Sequence, residues 1–211
     1  MIDYSLYLCT DSNMNSDYEI QECVRQAIIG GVTIVQVREK NKNTDEICSI
    51  ASEIKKVTDV YNVPLIINDN IEAVTRLNAD GIHIGQDDIS CLEARKILGE
   101  SKIVGVTVTT LDQAKIAIEQ GATYLGVGAI YKSVTKREAK VVDHNELIKI
   151  LEFCNIPIVV IGGINSNTIP NFKNMNVSGY AMIRPILGQK DITEAARKLK
   201  TLVLSNKTNV V

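Results

Sequence analysis

The sequence predicts an α/β protein of the closed (βα)8 TIM-barrel class, with a parallel eight-stranded sheet. Three observations carry this. Strand-like and helix-like runs alternate eight times along 211 residues. The strand-like runs are near-continuous apolar stretches, which indicates a sheet covered on both faces by helical crossovers. The dinucleotide fingerprint of an open, doubly wound sheet is missing: Gly126-Val127-Gly128 begins such a pattern, but Tyr131 stands where its third glycine belongs.

Each unit can be justified in order. Strand Ser5–Cys9 precedes the helix Ile20–Ile29, which Gly30-Gly31 closes. Strand Thr33–Arg38 is β-branched until it meets its terminal charge. The helix after it, Thr44–Tyr61, carries Ile47, Ile50, Ala51, Ile54 and Val57 at the spacing of one buried face. Strand Pro64–Asn68 ends in Asn68-Asp69 and leads to a helix over Ile71–Asn78. Strand Gly81–Ile84 precedes a helix over Ser90–Leu98, with Ser90 as N-cap and Glu93 three residues on. The fifth and sixth units are Ile103–Thr107 with Leu111–Gln120, and Tyr124–Val127 with Asn145–Asn155. The connection from Gly128 to about His144 is the longest, the length of a functional lid or a disordered segment. The last units are Ile158–Ile161 with Asn165–Met175, and Gly179–Ile183 with Ile192–Leu204. Helix-to-strand connections rich in Gly and Asn supply the left-handed backbone that ends a helix. No linker interrupts the pattern, so residues 1–211 are expected to be one barrel domain, with 206–211 a frayed tail.

Composition narrows the function. A hydrophobic content of 45% supports a sizeable core, and a net charge of -2 gives no general attraction for nucleic acid or an anionic membrane. No apolar run approaches the ~20 residues that span a bilayer. Met1-Ile2-Asp3-Tyr4 enters a strand directly, without a secretory signal. The five cysteines are scattered, with no C-x-x-C pair, which argues against disulfides and structural zinc. A cytoplasmic protein is expected.

In a barrel the groups at strand C-termini converge on one face. That face collects Gln36, Arg38 and Lys40 from the second strand, and Asn68 and Asp69 from the third. Gln86, Asp87 and Asp88 follow the fourth; Thr107, Thr109 and Thr110 end the fifth. The sixth leads to Ser133, Thr135 and Lys136, the seventh to Gly162-Gly163, the eighth to Ile183-Arg184. Asp69 and Asp88 lie on neighbouring units and could share one Mg2+, which takes few carboxylates and several waters or phosphate oxygens. Asp87 rivals Asp88; the other of the two is expected to cap the helix near Ser90. Arg38, Lys40 and Lys136 could neutralise a diphosphate, whereas Glu39 is expected to pair locally. Gly162-Gly163, with a helix starting at Asn165, could receive a phosphate on free backbone N–H groups. His83 and His144 read as packing or surface residues, and Tyr124 as core or a stacking surface. No Ser-His-Asp or Cys-His grouping suggests a protein nucleophile.

Together these stretches resemble thiamine-phosphate synthase. The resemblance runs through nearly the whole chain. It is carried by Gln36-Val37-Arg38-Glu39-Lys40, Ile67-Asn68-Asp69, Asp80 through Asp88, Gly126 through Lys136, and Ile161-Gly162-Gly163-Ile164. It implies a transferase that joins a hydroxymethylpyrimidine diphosphate to a thiazole phosphate with Mg2+, releasing pyrophosphate. By position it implies that Gln36, Val37, Arg38, Glu39, Lys40, Asn68, Thr107 and Lys136 bind the pyrimidine diphosphate. Asp69 and Asp88 would hold the metal. Ser133, Val134, Thr135, the Gly163 backbone, Ile183 and Arg184 would take the thiazole phosphate. Its partners would be these small molecules, not nucleic acid or membrane, with self-association left open. Departures from the family pattern are Thr107 for serine, Ser133 for threonine, Thr109 for histidine, Ala129 for proline and, largest, Arg184 for a small residue. The alternatives are a thiazole tautomerase-like enzyme and a non-catalytic binder of thiazole or thiamine phosphate.

Overall fold

The structure, a computed structural model, describes residues 2–14, 17–132 and 141–207. Eight strands close into an all-parallel barrel in sequence order: β1 (Leu6–Cys9), β2 (Ile34–Val37), β3 (Leu65–Asn68), β4 (Gly81–Ile84), β5 (Ile103–Val108), β6 (Tyr124–Val127), β7 (Ile158–Ile161) and β8 (Gly179–Met182). Closure comes from β1 pairing with β8, where Leu6 faces Tyr180. The helices are α1 (Ile20–Ile29), α2 (Thr44–Tyr61), α3 (Ile71–Leu77), α4 (Cys91–Leu98), α5 (Leu111–Glu119), α6 (His144–Phe153), α7 (Arg184–Leu187) and α8 (Ile192–Lys207).

Helix boundaries follow local chemistry. Asn43 caps α2: its side chain accepts from the Glu46 N–H, while Glu46 accepts from the Asn43 N–H. This reciprocal box satisfies two donors that the first turn leaves free. Ile47, Ala51, Ile54 and Thr58 then form the buried face, and Asn62 ends the helix in the left-handed region. Ser90 and Glu93 build the same box on α4. On α8, Ile192, Ala196, Leu199 and Val203 are buried at helical spacing.

The seventh unit departs from expectation. Instead of a helix over Asn165–Met175, the chain makes only a 3-10 turn over Ile169–Phe172. Pro170 has no N–H to extend a helix, and Asn174 turns left-handed at φ 67. The four-residue helix α7 was not expected either.

Side-chain alternation divides the strands between two cores. Leu8, Val35, Val37, Leu65, Ile67, Ile82 and Ile84 pack outward under the helices. Tyr7, Cys9, Ile34, Ile66, Ile103, Tyr124, Val159 and Ala181 fill the interior. The inward parity continues from Ile34 to Gln36, from Ile66 to Asn68 and from Ile103 to Thr107. It therefore delivers polar groups to the mouth of the barrel from strands that are apolar below.

Candidate active site

At the C-terminal ends of the strands lies a cavity of about 1350 Å3. Gln36, Arg38, Lys40, Asn68, Asp69, Asp88, Thr107, Gly163, Ile183 and Arg184 all line it. Of the expected site residues, Ser133, Val134, Thr135 and Lys136 lie outside the described residues. Val37 and Glu39 have the opposite parity and do not line the cavity. Val37 lies in the outer core. Glu39 accepts hydrogen bonds from the Thr10 hydroxyl at 3.3 Å, from the Ser12 N–H at 3.2 Å and from the Ser12 hydroxyl. Thr10 in turn accepts from the Arg38 N–H at 3.2 Å, so this local cluster fixes the backbone from which Arg38 projects.

The charges meet where β2, β3 and β4 end. Lys40 Nζ donates to Asp69 Oδ2 at 3.1 Å. Asp69 sits in the left-handed region at φ 61, unusual for a residue with a side chain, and its N–H donates to the His83 carbonyl at 2.9 Å. Burial, and then contact with the Asp88 carboxyl, raise the Asp69 carboxyl above its usual range; Lys40 opposes this. Asp88 accepts from the Gly85 N–H at 2.6 Å, which folds the turn after β4. Neither Asp87 nor Asp88 caps α4, contrary to the expectation for one of them: Ser90 fills that position, because its short hydroxyl reaches the Glu93 N–H at 3.2 Å.

Two carboxylates in contact repel, and a hard divalent cation between them would relieve that repulsion. No group of three or more His, Cys, Asp or Glu stands ready for a metal among the described residues. Asp69 and Asp88 side by side are a donor set that Mg2+ could use, since it binds through one or two carboxylates plus waters and substrate phosphate oxygens rather than in an all-protein cage.

The opposite rim is built by close approach of two loops. Ile130 N–H donates to the Ile161 carbonyl at 2.9 Å and Tyr131 N–H to the Gly162 carbonyl at 3.0 Å. Gly163 has φ 66, and a Cβ there would meet Tyr131 Cβ at 2.6 Å, so only glycine fits. The expected helix N-terminus at Asn165 is absent. Its N–H is taken by the Thr168 hydroxyl at 2.9 Å, and the Asn167 N–H by the Asn165 side chain at 2.9 Å. Arg184, exposed at the start of α7, supplies the described side-chain charge nearest in sequence to β8.

Below the rim runs a polar file that the sequence reading missed. Gln36 Nε2 lies 2.8 Å from the Tyr7 hydroxyl, and the Tyr7 and Tyr124 hydroxyls are 2.8 Å apart. Tyr124 Oη lies 2.8 Å from His83 Nδ1, and His83 Nε2 lies 2.7 Å from Thr107 Oγ1. Burial holds both phenols well above their ordinary pKa, so they stay neutral. Glycines make the room: a Cβ on Gly105 would fall 2.1 Å from the Tyr124 ring, and one on Gly126 2.9 Å from the His83 ring. The one available signal was parity, which puts Tyr7, His83 and Tyr124 on the inward face.

A closed parallel barrel with cations, carboxylates and amides gathered at the C-terminal mouth has the architecture of a (βα)8-barrel enzyme. The family profile described as thiamine monophosphate synthase matches residues 6–186. The thiamine-phosphate synthase of Clostridium botulinum (strain Eklund 17B / Type B) is 44% identical over 199 residues, covering 94% of this chain and 93% of that protein. That of Clostridium acetobutylicum is 42% identical over 207 residues, covering 98% of each. Among solved structures, thiamine phosphate pyrophosphorylase from Pyrococcus furiosus superposes with a TM-score of 0.88 at 30% identity, covering 98% of each chain. A 3-hexulose-6-phosphate synthase from Salmonella typhimurium, at 18% identity and TM-score 0.71, shares the fold. The chain belongs to the thiamine monophosphate synthase family, and it is an enzyme of the transferase class.

Proposed function

We propose that the protein couples 4-amino-2-methyl-5-hydroxymethylpyrimidine diphosphate with thiazole phosphate, dependent on Mg2+, to give thiamine phosphate and pyrophosphate. The observation that carries this reading is the meeting of Lys40, Asp69 and Asp88 at one corner of the cavity that Arg38 also lines. Cations beside paired carboxylates suit a diphosphate presented with a divalent metal.

In this reading Asp69 and Asp88 hold Mg2+, which when bound would stabilise negative charge on the departing diphosphate. Arg38 and Lys40, with Lys136, bind the diphosphate oxygens and accept its growing charge as the carbon–oxygen bond breaks. The bonding pair leaves with the diphosphate, and the aminopyrimidine delocalises the positive charge left on its methylene carbon. The thiazole nitrogen then gives its lone pair to that carbon. Gln36, Asn68 and Thr107 orient the pyrimidine; Val37 and Glu39 set the strand end that carries Arg38 and Lys40. Ser133, Val134, Thr135, the Gly163 backbone, Ile183 and Arg184 hold the thiazole phosphate. No protein nucleophile is needed, and the catalysis is positioning and electrostatics. Five free cysteines support a reducing, cytoplasmic setting.

The test is one assay with purified protein, both substrates, and Mg2+ present or chelated. Thiamine phosphate should form only with the metal. Absence of product with Mg2+ present would overturn the reading, and binding without turnover would leave a carrier of these phosphates.

A further inference from the structure

The file through the barrel interior has a direction. A neutral imidazole donates from one nitrogen and accepts at the other, and each phenol has a single hydrogen. One donor therefore fixes the next, from Gln36 through Tyr7, Tyr124 and His83 to Thr107. Two consistent arrangements exist. In the first, the Gln36 NH2 donates to Tyr7, Tyr7 to Tyr124, Tyr124 to His83 Nδ1, and His83 Nε2–H to Thr107. The Gln36 carbonyl oxygen is then left as an acceptor and the Thr107 hydroxyl as a donor. The second reverses every bond and both ends. A mixed arrangement either sets two lone pairs against each other or leaves a phenol that accepts from both neighbours with its own hydrogen unpaired, inside the barrel, where Tyr7 and Tyr124 are each 1% exposed. Such a mispairing lowers its population by roughly tenfold or more.

Both ends of the file open on the cavity, since Gln36 and Thr107 line it. We infer that Tyr7, Tyr124 and His83 are positioning residues that hold Gln36 and Thr107 at opposite hydrogen-bonding sign, and so select a heteroaromatic ring carrying one donor and one acceptor. This rests on the pyrimidine reading above. A 4-aminopyrimidine has that pattern: its amino group donates, and its ring nitrogens accept. With the Gln36 NH2 turned to Tyr7, the amino group goes to the Gln36 oxygen and a ring nitrogen to the Thr107 hydroxyl.

The experiment crosses one substitution with one ligand change. Tyr124→Phe cuts the file at its centre and keeps the ring in its seat against Gly105. Calorimetry in Mg2+ then measures the aminopyrimidine diphosphate and its 4-desamino analogue on both proteins. In the native protein, loss of the amino group should weaken binding about tenfold. In Tyr124→Phe that ratio should fall to roughly threefold or less, because the freed ends reorient. An unchanged ratio, with both ligands weakened alike, is what mere packing would give and overturns the inference. If the native protein binds neither pyrimidine, the pyrimidine reading falls with it, an outcome distinct from an unchanged ratio.

A second measurement needs no variant. The chain has two histidines, so 15N labelling of the native protein resolves His83 from His144. In the aminopyrimidine complex His83 should be a single neutral tautomer, with its proton on one ring nitrogen only. A ring averaging between tautomers, or one protonated on both nitrogens, overturns the inference.

Discussion

Lys40 Nζ stands 3.1 Å from Asp69 Oδ2, tying the end of β2 to the end of β3 across the mouth of the barrel. The Lys40 side chain is 55% exposed. A pair so open to water contributes about 0–1 kcal/mol to stability. Its significance is therefore local: it places a cation against the carboxylate that also touches Asp88.

Asp69→Asn keeps the shape of that group and removes its charge. Turnover should fall about 100-fold or more, the scale for losing one preorganised electrostatic group. The unfolding temperature should change little. Steady-state coupling assays across a Mg2+ titration check this, and near-normal turnover would take Asp69 out of the metal site.

Arg184→Ser removes the guanidinium from the start of α7. Arg184 is exposed, so in the proposed role a pairing with the thiazole phosphate would be worth ~0.5–1 kcal/mol, and its loss should raise the KM for thiazole phosphate roughly two- to fivefold. The KM for the pyrimidine diphosphate should not move. A thiazole-phosphate KM that is unchanged or lower would mean that the arginine does not hold that substrate.

Arg95 is a structural counterpart on α4, 7% exposed. Its Nη1 donates to the Gly99 and Lys102 carbonyls, each at 2.8 Å, and its Nη2 to the Gly121 carbonyl at 2.7 Å. Arg95→Met strands these carbonyls at a cost of about 3 kcal/mol. Urea unfolding should show the loss while both KM values stay unchanged; a midpoint like the parent's would contradict it.

Thiol chemistry should single out Cys48. Burial pushes the Cys9 thiol up to about 12 and raises Cys23, Cys91 and Cys154 as well. Cys48 alone of the five is not buried. A chromogenic disulfide at pH 8 should titrate one fast thiol in the native protein and none in Cys48→Ser, whereas denaturant should release all five of the parent. Rapid reaction of a second native thiol would show that the helical layer opens.

The units were legible where pattern and cap agreed. Ile47, Ala51 and Ile54 announce α2, and Ser90 with Glu93 announces the start of α4. Ile169 and Phe172 are buried in the seventh unit, but Pro170 between them limits the chain to a 3-10 turn. The rim was legible too, because Gln36, Arg38 and Lys40 recur at the strand period and end an apolar run. The file beneath it was not. Its bonds join residues 29, 117, 41 and 24 positions apart, and no local pattern marks a tyrosine as a partner for a histidine rather than as filler.

The pairing of Leu6 with Tyr180 has a consequence for how the molecule comes into being. A ring has no first or last member. Until β8 is available, β1 and β7 each present an open row of backbone donors and acceptors, a template for a neighbouring chain. Once the seam closes, the sheet offers no strand edge at all, and any assembly must be made through helices and loops. Protection from edge-to-edge association thus arrives late and all at once, with the eighth strand.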